Sequence, residues 1–395
     1  MRWGVWCDDV AAGPWLKALA RETPVPTFVA VRATPADDAV WHGIAGVEFI
    51  ADWPSLLIDR TLDAVFLTGT SDDRLAAMRQ LTEQDRPLWI WPNSQHGLPF
   101  AYELALIAND RTTPLRGVWR HRCDPVLQAV IARQRQGDIA GIEHIEFQRT
   151  IGGDGLADGD ASIAMQQRLL SDLDLVRWLG GNATRVTALR TTGPNGRLWK
   201  QSALLAAESG PGVSWAGEIV TGAASGARIH LHNREGGLVL IENAAGQWSV
   251  EGKSISAMES RETASVPWTE VVRVFEWFDA CEHSLERRRT IELHSEPASE
   301  RTVFKTQMTA IGCGVLMATL LFALLYLAVG ATIGDPKEAP QWVLIAFNVL
   351  RLLVFAPLAM FLIAQLLLPL TRTPRKSGDI GESQGATPPG RETGG

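Results

Sequence analysis

The feature that most constrains this chain is a stretch with no charged side chain, Thr306 to Gly334, whose centre reads IGCGVLMATLLFALLYLAVGATI. Roughly 20 helical residues, rising about 1.5 Å each, cross a hydrocarbon core of about 30 Å, so this run is long enough to span a bilayer. A buried core helix would be shorter and would carry a polar stripe. A second apolar stretch, Gln341 to Thr371, holds one charge, Arg351. Leu352 to Leu370 suffices to cross alone, which leaves Arg351 at the membrane edge with its side chain reaching towards headgroups. Two transmembrane helices, 306–334 and 341–371, are therefore expected, with Pro357 a candidate kink in the second.

Basic residues orient the pair. Arg301 and Lys305 precede the first span and Arg372, Arg375 and Lys376 follow the second, while the connecting DPKEAP segment offers Lys337 alone. The positive-inside bias puts both termini and the main body of the chain in the cytoplasm. The tail at 372–395, rich in Gly, Pro, Ser and Thr, is expected to be disordered. The first residues, MRWGVWCDDVAAG, reach Asp8 and Asp9 before any apolar run that would serve as a signal peptide.

The chain carries 37 Lys and Arg against 44 Asp and Glu. Beyond residue 305 the two signs nearly balance, so the acidic excess lies in the first 305 residues. A body of that sign has no footprint for nucleic acid, whose phosphates select Lys- and Arg-rich faces. Cys7, Cys123, Cys281 and Cys313 are far apart with no CxxC pair, so neither a disulfide framework nor a zinc site is legible.

Within the body, short apolar runs alternate with helical patterns. Strands are expected at Trp3–Cys7, Thr27–Arg32, Ala64–Thr68 and Pro87–Trp91, with helices at Pro14–Arg21, Trp53–Ile58 and Asp72–Gln84 between them. Such alternation implies a doubly wound parallel sheet of Rossmann-like type over residues 1–118. From 119 to 305 the pattern changes. Helices at Pro125–Gln136, Arg168–Leu179 and Trp268–Glu286 bracket strands at Ile142–Arg149 and in SALLAAE, SWAGEIV, ARIHLHN and GLVLIEN, with a last strand at Thr290–His294. Successive strands without intervening helices imply an α+β domain with a large, mainly antiparallel sheet.

Three ordered phrases carry a resemblance. LDAVFLTGT (Leu62–Thr70) is like a fourth strand, RCDPVLQAVIARQRQGDIAGIEHIEF (Arg122–Phe147) is like a connecting helix and entry strand, and SDLDLVRWLGG (Ser171–Gly181) is like an H-D-L-D-x-x-R-W-L-x-G phrase. Together they make residues 1–305 resemble the Gfo/Idh/MocA oxidoreductases. The resemblance implies NAD or NADP across the first domain, a sugar or polyol substrate against the second sheet, and pairing of copies through the open face of that sheet.

The residues at the family's working positions are different. A G-x-G-x-x-G/A loop lets the backbone approach the pyrophosphate at a helix N-terminus. Here the matching positions read Cys7-Asp8-Asp9-Val10-Ala11-Ala12. An acidic pair there would oppose the phosphates, and it complements the helix dipole as a filled site would. At the end of the second strand stands Arg32 in place of a ribose-binding acid, either a contact for a 2′-phosphate or a solvated side chain. Thr68, after the fourth strand, is the remaining candidate contact for a cofactor. The family's E-K-P lysine is Trp91, and its D-x-G-x-H pair is Gln167 and Ser171. Neither exchanges a proton near neutral pH without another activating group. Asp174 is retained, on a helix face where a carboxylate serves structure or chemistry.

His230 and His232, at i and i+2 of a strand, face one side, as metal ligands or as the polar face of a sheet; with no third ligand evident, no metal site is assigned. Asn93 and His96 follow the E-K-P position. Trp3, Trp6, Trp89 and Trp91 fill a core or stack a sugar. The resulting expectation is a membrane-anchored pseudo-oxidoreductase that binds a small molecule or a protein partner. The alternative is an active NAD(P)-dependent enzyme with a remodelled site, and a third reading makes the hairpin the functional element.

Overall fold

The computed structural model describes residues 1–293 apart from short interruptions, the longest at 33–39 and 251–264, together with scattered positions between 317 and 345. The chain divides into Met1–Ala298 and Ser299–Gly395. Among the described residues no helix is long and apolar enough to cross a membrane. The spans expected at 306–334 and 341–371 and the tail at 372–395 lie outside the described residues, save for helical positions such as Met317, Leu320, Leu321 and Leu324, each more than half exposed.

In the first unit, strands β1 (Arg2–Trp6), β2 (Thr27–Val31), β3 (Val47–Ile50), β4 (Ala64–Leu67), β5 (Leu88–Ile90) and β6 (Leu115–Val118) pair in parallel in the order β3-β2-β1-β4-β5-β6. That order is the doubly wound arrangement of dinucleotide-binding folds. Every residue of β4 and β5 is buried, which is why these strands read as unbroken apolar runs rather than as alternations. Helices α1 (Gly13–Leu19), α2 (Pro54–Ile58), α3 (Asp72–Thr82) and α4 (Gly97–Asn109) connect them. Trp3, Trp15, Phe66 and Trp89 interlock on one face, Trp3 meeting Trp89 edge-on at 5.3 Å and Trp15 stacking on Phe66 at 4.5 Å. These tryptophans are core, each contact worth about 0.5–1.5 kcal/mol beyond its buried area.

Helix α5 (Pro125–Gln136) leads to the second sheet, and its limits are written locally. The Asp124 carboxylate accepts from the N–H groups of Val126 and Leu127, Pro125 takes the first position, and Gly137 at φ +88° ends the helix. Beyond it come β7 (Ile142–Gly152), α6 (Asp158–Trp178), β8 (Arg185–Thr192), β9 (Leu198–Ala206), β10 (Gly212–Val220), β11 (Gly226–Asn233) and β12 (Leu238–Asn243). The chain then returns through β13 (Ser265–Pro267), which pairs antiparallel with β6 in the first sheet, to α7 (Trp268–Arg287) and β14 (Ile291–Glu292). The second sheet runs β12-β11-β7-β10-β9-β8-β14. Helices α6 and α7 cover one face; along β10, Val213 and Trp215 point into it while Ser214, Ala216 and Glu218 stand on the open side.

Three differences from the sequence reading have physical causes. β7 and β10 pair in parallel inside an otherwise antiparallel sheet, because α6, β8 and β9 intervene between them along the chain. β3, β6 and β13, absent from the sequence reading, are as short as β4 and β5 but lack their unbroken apolar run, carrying Glu48, Arg116 and Ser265. Helix α6 begins at Asp158 rather than at Arg168, its first turns being too polar to show an apolar face.

Candidate functional site

Neighbouring strands β1 and β4 send the chain to opposite sides of the sheet, so their carboxyl ends form the switch point at which a doubly wound fold binds ligands. Cys7, Asp8 and Asp9 emerge there from β1 and Thr68 from β4. Instead of leaving a glycine-lined space, these side chains bind one another. Thr68 Oγ1 accepts from the Asp8 N–H at 3.1 Å and donates to the Asp8 carboxylate at 3.0 Å. The other Asp8 oxygen lies 3.2 Å from Nε of the buried Arg74. Arg74 also donates to the carbonyls of Trp6 and Thr68 and lies over the Trp6 ring at 4.4 Å. Gly69, at φ +95°, lets this guanidinium pass, since a Cβ there would come within 2.3 Å of Arg74 Cδ.

Asp9 accepts from the Ala11 N–H at 2.8 Å and so caps the first turn of the helical segment. Burial pushes the Asp9 carboxyl up, and the Ala11 bond offsets part of that. The Cys7 thiol is pushed up to about 12, chiefly by burial, and is not a nucleophile. The sequence reading of the acidic pair needs one correction: Asp8 is not a free charge facing the site, because Arg74 neutralises it. Arg32 stands at the end of β2 beside the Phe49 ring, 5.4 Å from its centroid.

The opposite wall comes from α6. Gln167 accepts from the Ser94 N–H at 2.7 Å and donates to the Pro92 carbonyl at 3.1 Å, tying the loop after β5 to the second domain. One turn later Ser171 Oγ lies 3.3 Å from Nδ1 of His121, whose Nε2 is 2.7 Å from Asp174. Asp174 also receives both Nε and NH2 of Arg122, at 2.7 and 2.9 Å. Burial would raise the Asp174 carboxyl, yet the Arg122 charge and the bonds from His121 and Arg122 hold it at about 2. Burial lowers His121 against the pull of Asp174, so its imidazole is neutral, donating from Nε2 and accepting the Ser171 hydroxyl at Nδ1. His121 is thus a partner of Ser171 that the sequence alone does not reveal. It lies 50 residues from Ser171 and carries no motif of its own.

A cleft of about 200 Å³ opens between these walls, lined by Asp9, Trp91, Arg120, Gln167, Arg168 and Ser171. Its volume is below the 300–1,000 Å³ common for small-molecule pockets. Trp91, where the family lysine is expected, is buried and meets Phe66 edge-on at 6.4 Å. Asn93 is half-buried and caps the turn at Ser94–His96 by accepting from the Gln95 N–H at 2.9 Å, while His96 turns inward: it is buried, bonded to the Gly69 carbonyl and to the Asn93 N–H, and burial lowers its pKa. Arg120 donates to the Trp248 carbonyl at 2.6 Å. Arg168 has no hydrogen bond or ion pair within 4 Å among the described residues. Burial lowers both arginines; the positive charge of Arg168 adds to this at Arg120, and that of Arg149 at Arg168. Below them Asp172 holds Arg149 in a buried pair and accepts from Trp215 Nε1 at 3.0 Å.

His230 and His232 stand on the open face of the second sheet, opposite the covered face from which Arg149 reaches the cleft, and the expectation that no third ligand accompanies them is corrected: Glu146 joins them.

No family model matches the sequence, and no curated protein matches it. Solved structures do share the fold. The myo-inositol dehydrogenase of Lactobacillus casei, solved with NAD(H) and myo-inositol, superimposes with a TM-score of 0.62 at 13% identity, over 75% of this chain and 97% of that one. The myo-inositol dehydrogenase of Corynebacterium glutamicum gives 0.61 at 12%, over 75% and 99%. An oxidoreductase of Agrobacterium radiobacter, solved with NAD+, L-tartaric acid and magnesium, gives 0.60 at 14%, over 74% and 98%. The body of this chain has the fold of Gfo/Idh/MocA-type dehydrogenases.

Proposed function

We propose that this chain is a membrane-tethered protein with a dehydrogenase fold whose cleft binds a small anionic ligand and has given up nicotinamide chemistry. The observation that carries the reading is the Asp9 cap. Its carboxylate already holds the Ala11 N–H, one of the donors a pyrophosphate would use at a helix start. The residues present therefore do not fit a dinucleotide. Arg168, which makes no hydrogen bond among the described residues and feels the Asp172 and Asp9 charges only at a distance, stands beside Arg120 and supplies the attraction for a carboxylate or phosphate small enough for the cleft. The apolar spans at 306–334 and 341–371 would hold the body at the cytoplasmic face of a membrane, both termini inside. Leu189 and Leu204, exposed on the open face of the second sheet at its β8–β9 end, favour pairing of copies there.

A second reading, an active NAD(P)-dependent oxidoreductase, is favoured by one observation. Ser171, His121 and Asp174 form a line from the cleft to a buried imidazole, which could accept a proton from a bound alcohol. Calorimetric titration of the full chain with NAD(H) and NADP(H), followed by a turnover screen on polyols, separates the two. Binding no tighter than millimolar without turnover supports the first reading; micromolar binding with turnover that Ser171→Ala abolishes supports the second.

A further inference from the structure

We propose that Glu146, His230 and His232 form a binding site for a divalent transition-metal ion of the zinc type on the open face of the second sheet. The site follows from register. β11 pairs antiparallel with β7 so that His230 faces Glu146 and His232 faces His144. Side chains two apart on a strand share a face, so all four stand on the same side. The Glu146 oxygen Oε2 lies 3.2 Å from His230 Nδ1 and 3.8 Å from His232 Nε2. One donor atom from each of the three residues falls within 4.8 Å of the others. Ligand bonds of about 2.0–2.1 Å in a tetrahedron put donor atoms about 3.3 Å apart, so a small adjustment brings all three onto one ion.

The surroundings fit that role. Gln148 donates to the other Glu146 oxygen at 2.8 Å, leaving Oε2 turned towards the two imidazoles, as outer partners of metal-binding carboxylates do. The nearest cation along β11, Arg228, is held by Glu242 at 2.8 Å and does not compete. His144 is occupied by Ser214 at 2.9 Å and is a neighbour rather than a ligand. Two neutral imidazoles and one carboxylate select zinc, cobalt or nickel over magnesium or calcium, which prefer all-oxygen sites. His232 is 45% exposed, so an ion entering from solvent would keep at least one position for water or an outside ligand. The rival account is a hydrogen-bonded ladder with no affinity for metal.

The test uses the tag-free full chain, freed of metal with a chelator, titrated with Zn2+ by calorimetry and with Co2+ by visible absorption. One ion per chain at micromolar affinity or tighter is expected. His230→Gln and His232→Gln should each weaken binding at least about tenfold, and the double variant should lose the Co2+ band, with melting of the metal-free proteins unchanged. Glutamine keeps a donor for Glu146, so a ladder alone would pass through these changes. No saturable binding by the native chain, or a double variant that binds like it, would overturn the proposal. Should the double variant not fold, mass mapping of diethyl pyrocarbonate modification on the native chain decides: Zn2+ protecting His230 and His232 supports the site, and equal modification with and without Zn2+ refutes it.

Discussion

Asp8 with Arg74 at the edge of the first sheet, and Asp174 with Arg122 beneath α6, are the same chemical pair in two settings on either side of the cleft. Asp174 is fully buried and Arg122 nearly so, with every polar atom of the carboxylate engaged. Asp8 is 33% exposed beside a buried Arg74 that has two carbonyls and an indole ring as further company. The buried pair fixes His121 and the junction of the two domains. The half-open pair occupies the place where a doubly wound fold receives a ligand. The same pair of side chains thus stands at the ligand-binding edge of the sheet in one setting and at a buried junction of two domains in the other.

Breaking the buried pair should have the largest effect. Arg122→Ala leaves Asp174 charged and without its main partner, and about 3–5 kcal/mol of stability should be lost in a denaturant titration. A loss no greater than for a surface substitution would put the two pairs on an equal footing.

Acid should act on the same region next. Asp174 is lowered from 3.8 to about 2, so its contribution is full above about pH 4 and disappears as pH falls from 4 towards 2, roughly 2 kcal/mol in all. His121 and His96 are lowered too, so the unfolded chain takes up their protons first and stability begins to fall below about pH 6.5. Melting temperatures from pH 7 to 3 should decline in these two windows, and a profile flat to pH 3 would contradict the assignment.

At the other pair, Asp8→Asn should cost about 1–2 kcal/mol, less than Arg122→Ala, because Arg74 keeps its carbonyls and solvent reaches the site. The same denaturant titration orders the two, and a reversal of that order would undo the comparison.

How much of this was legible depended on whether the signal was local. The parallel, doubly wound character of the first sheet followed from apolar runs separated by helical patterns, and Cys7, Asp8 and Asp9 stood out because a phosphate loop demands glycine at fixed spacing. The helix over Pro125–Gln136 was likewise legible from one short segment. Arg74, His121 and Glu146 were not legible, since each acquires its role from a partner 50 or more residues away through strand register or helix docking. The strand β3 also escaped, being a four-residue edge with its middle residues exposed.

The central claim is that the chain's own carboxylate closes its cofactor site, and Asp9→Gly tests it with least disturbance. Removing Asp8 would take from Arg74 its carboxylate, and removing the fully buried Cys7 side chain would leave a hole in the core, whereas removing Asp9 releases the Ala11 N–H and withdraws a carboxylate that also acts on Arg168. NADH fluorescence titrations of the native chain and of Asp9→Gly should show no saturation below millimolar for the first and at least about tenfold tighter binding for the second, a change of about 1.4 kcal/mol. A native chain that saturates at micromolar NADH, with Asp9→Gly no tighter, would contradict the account.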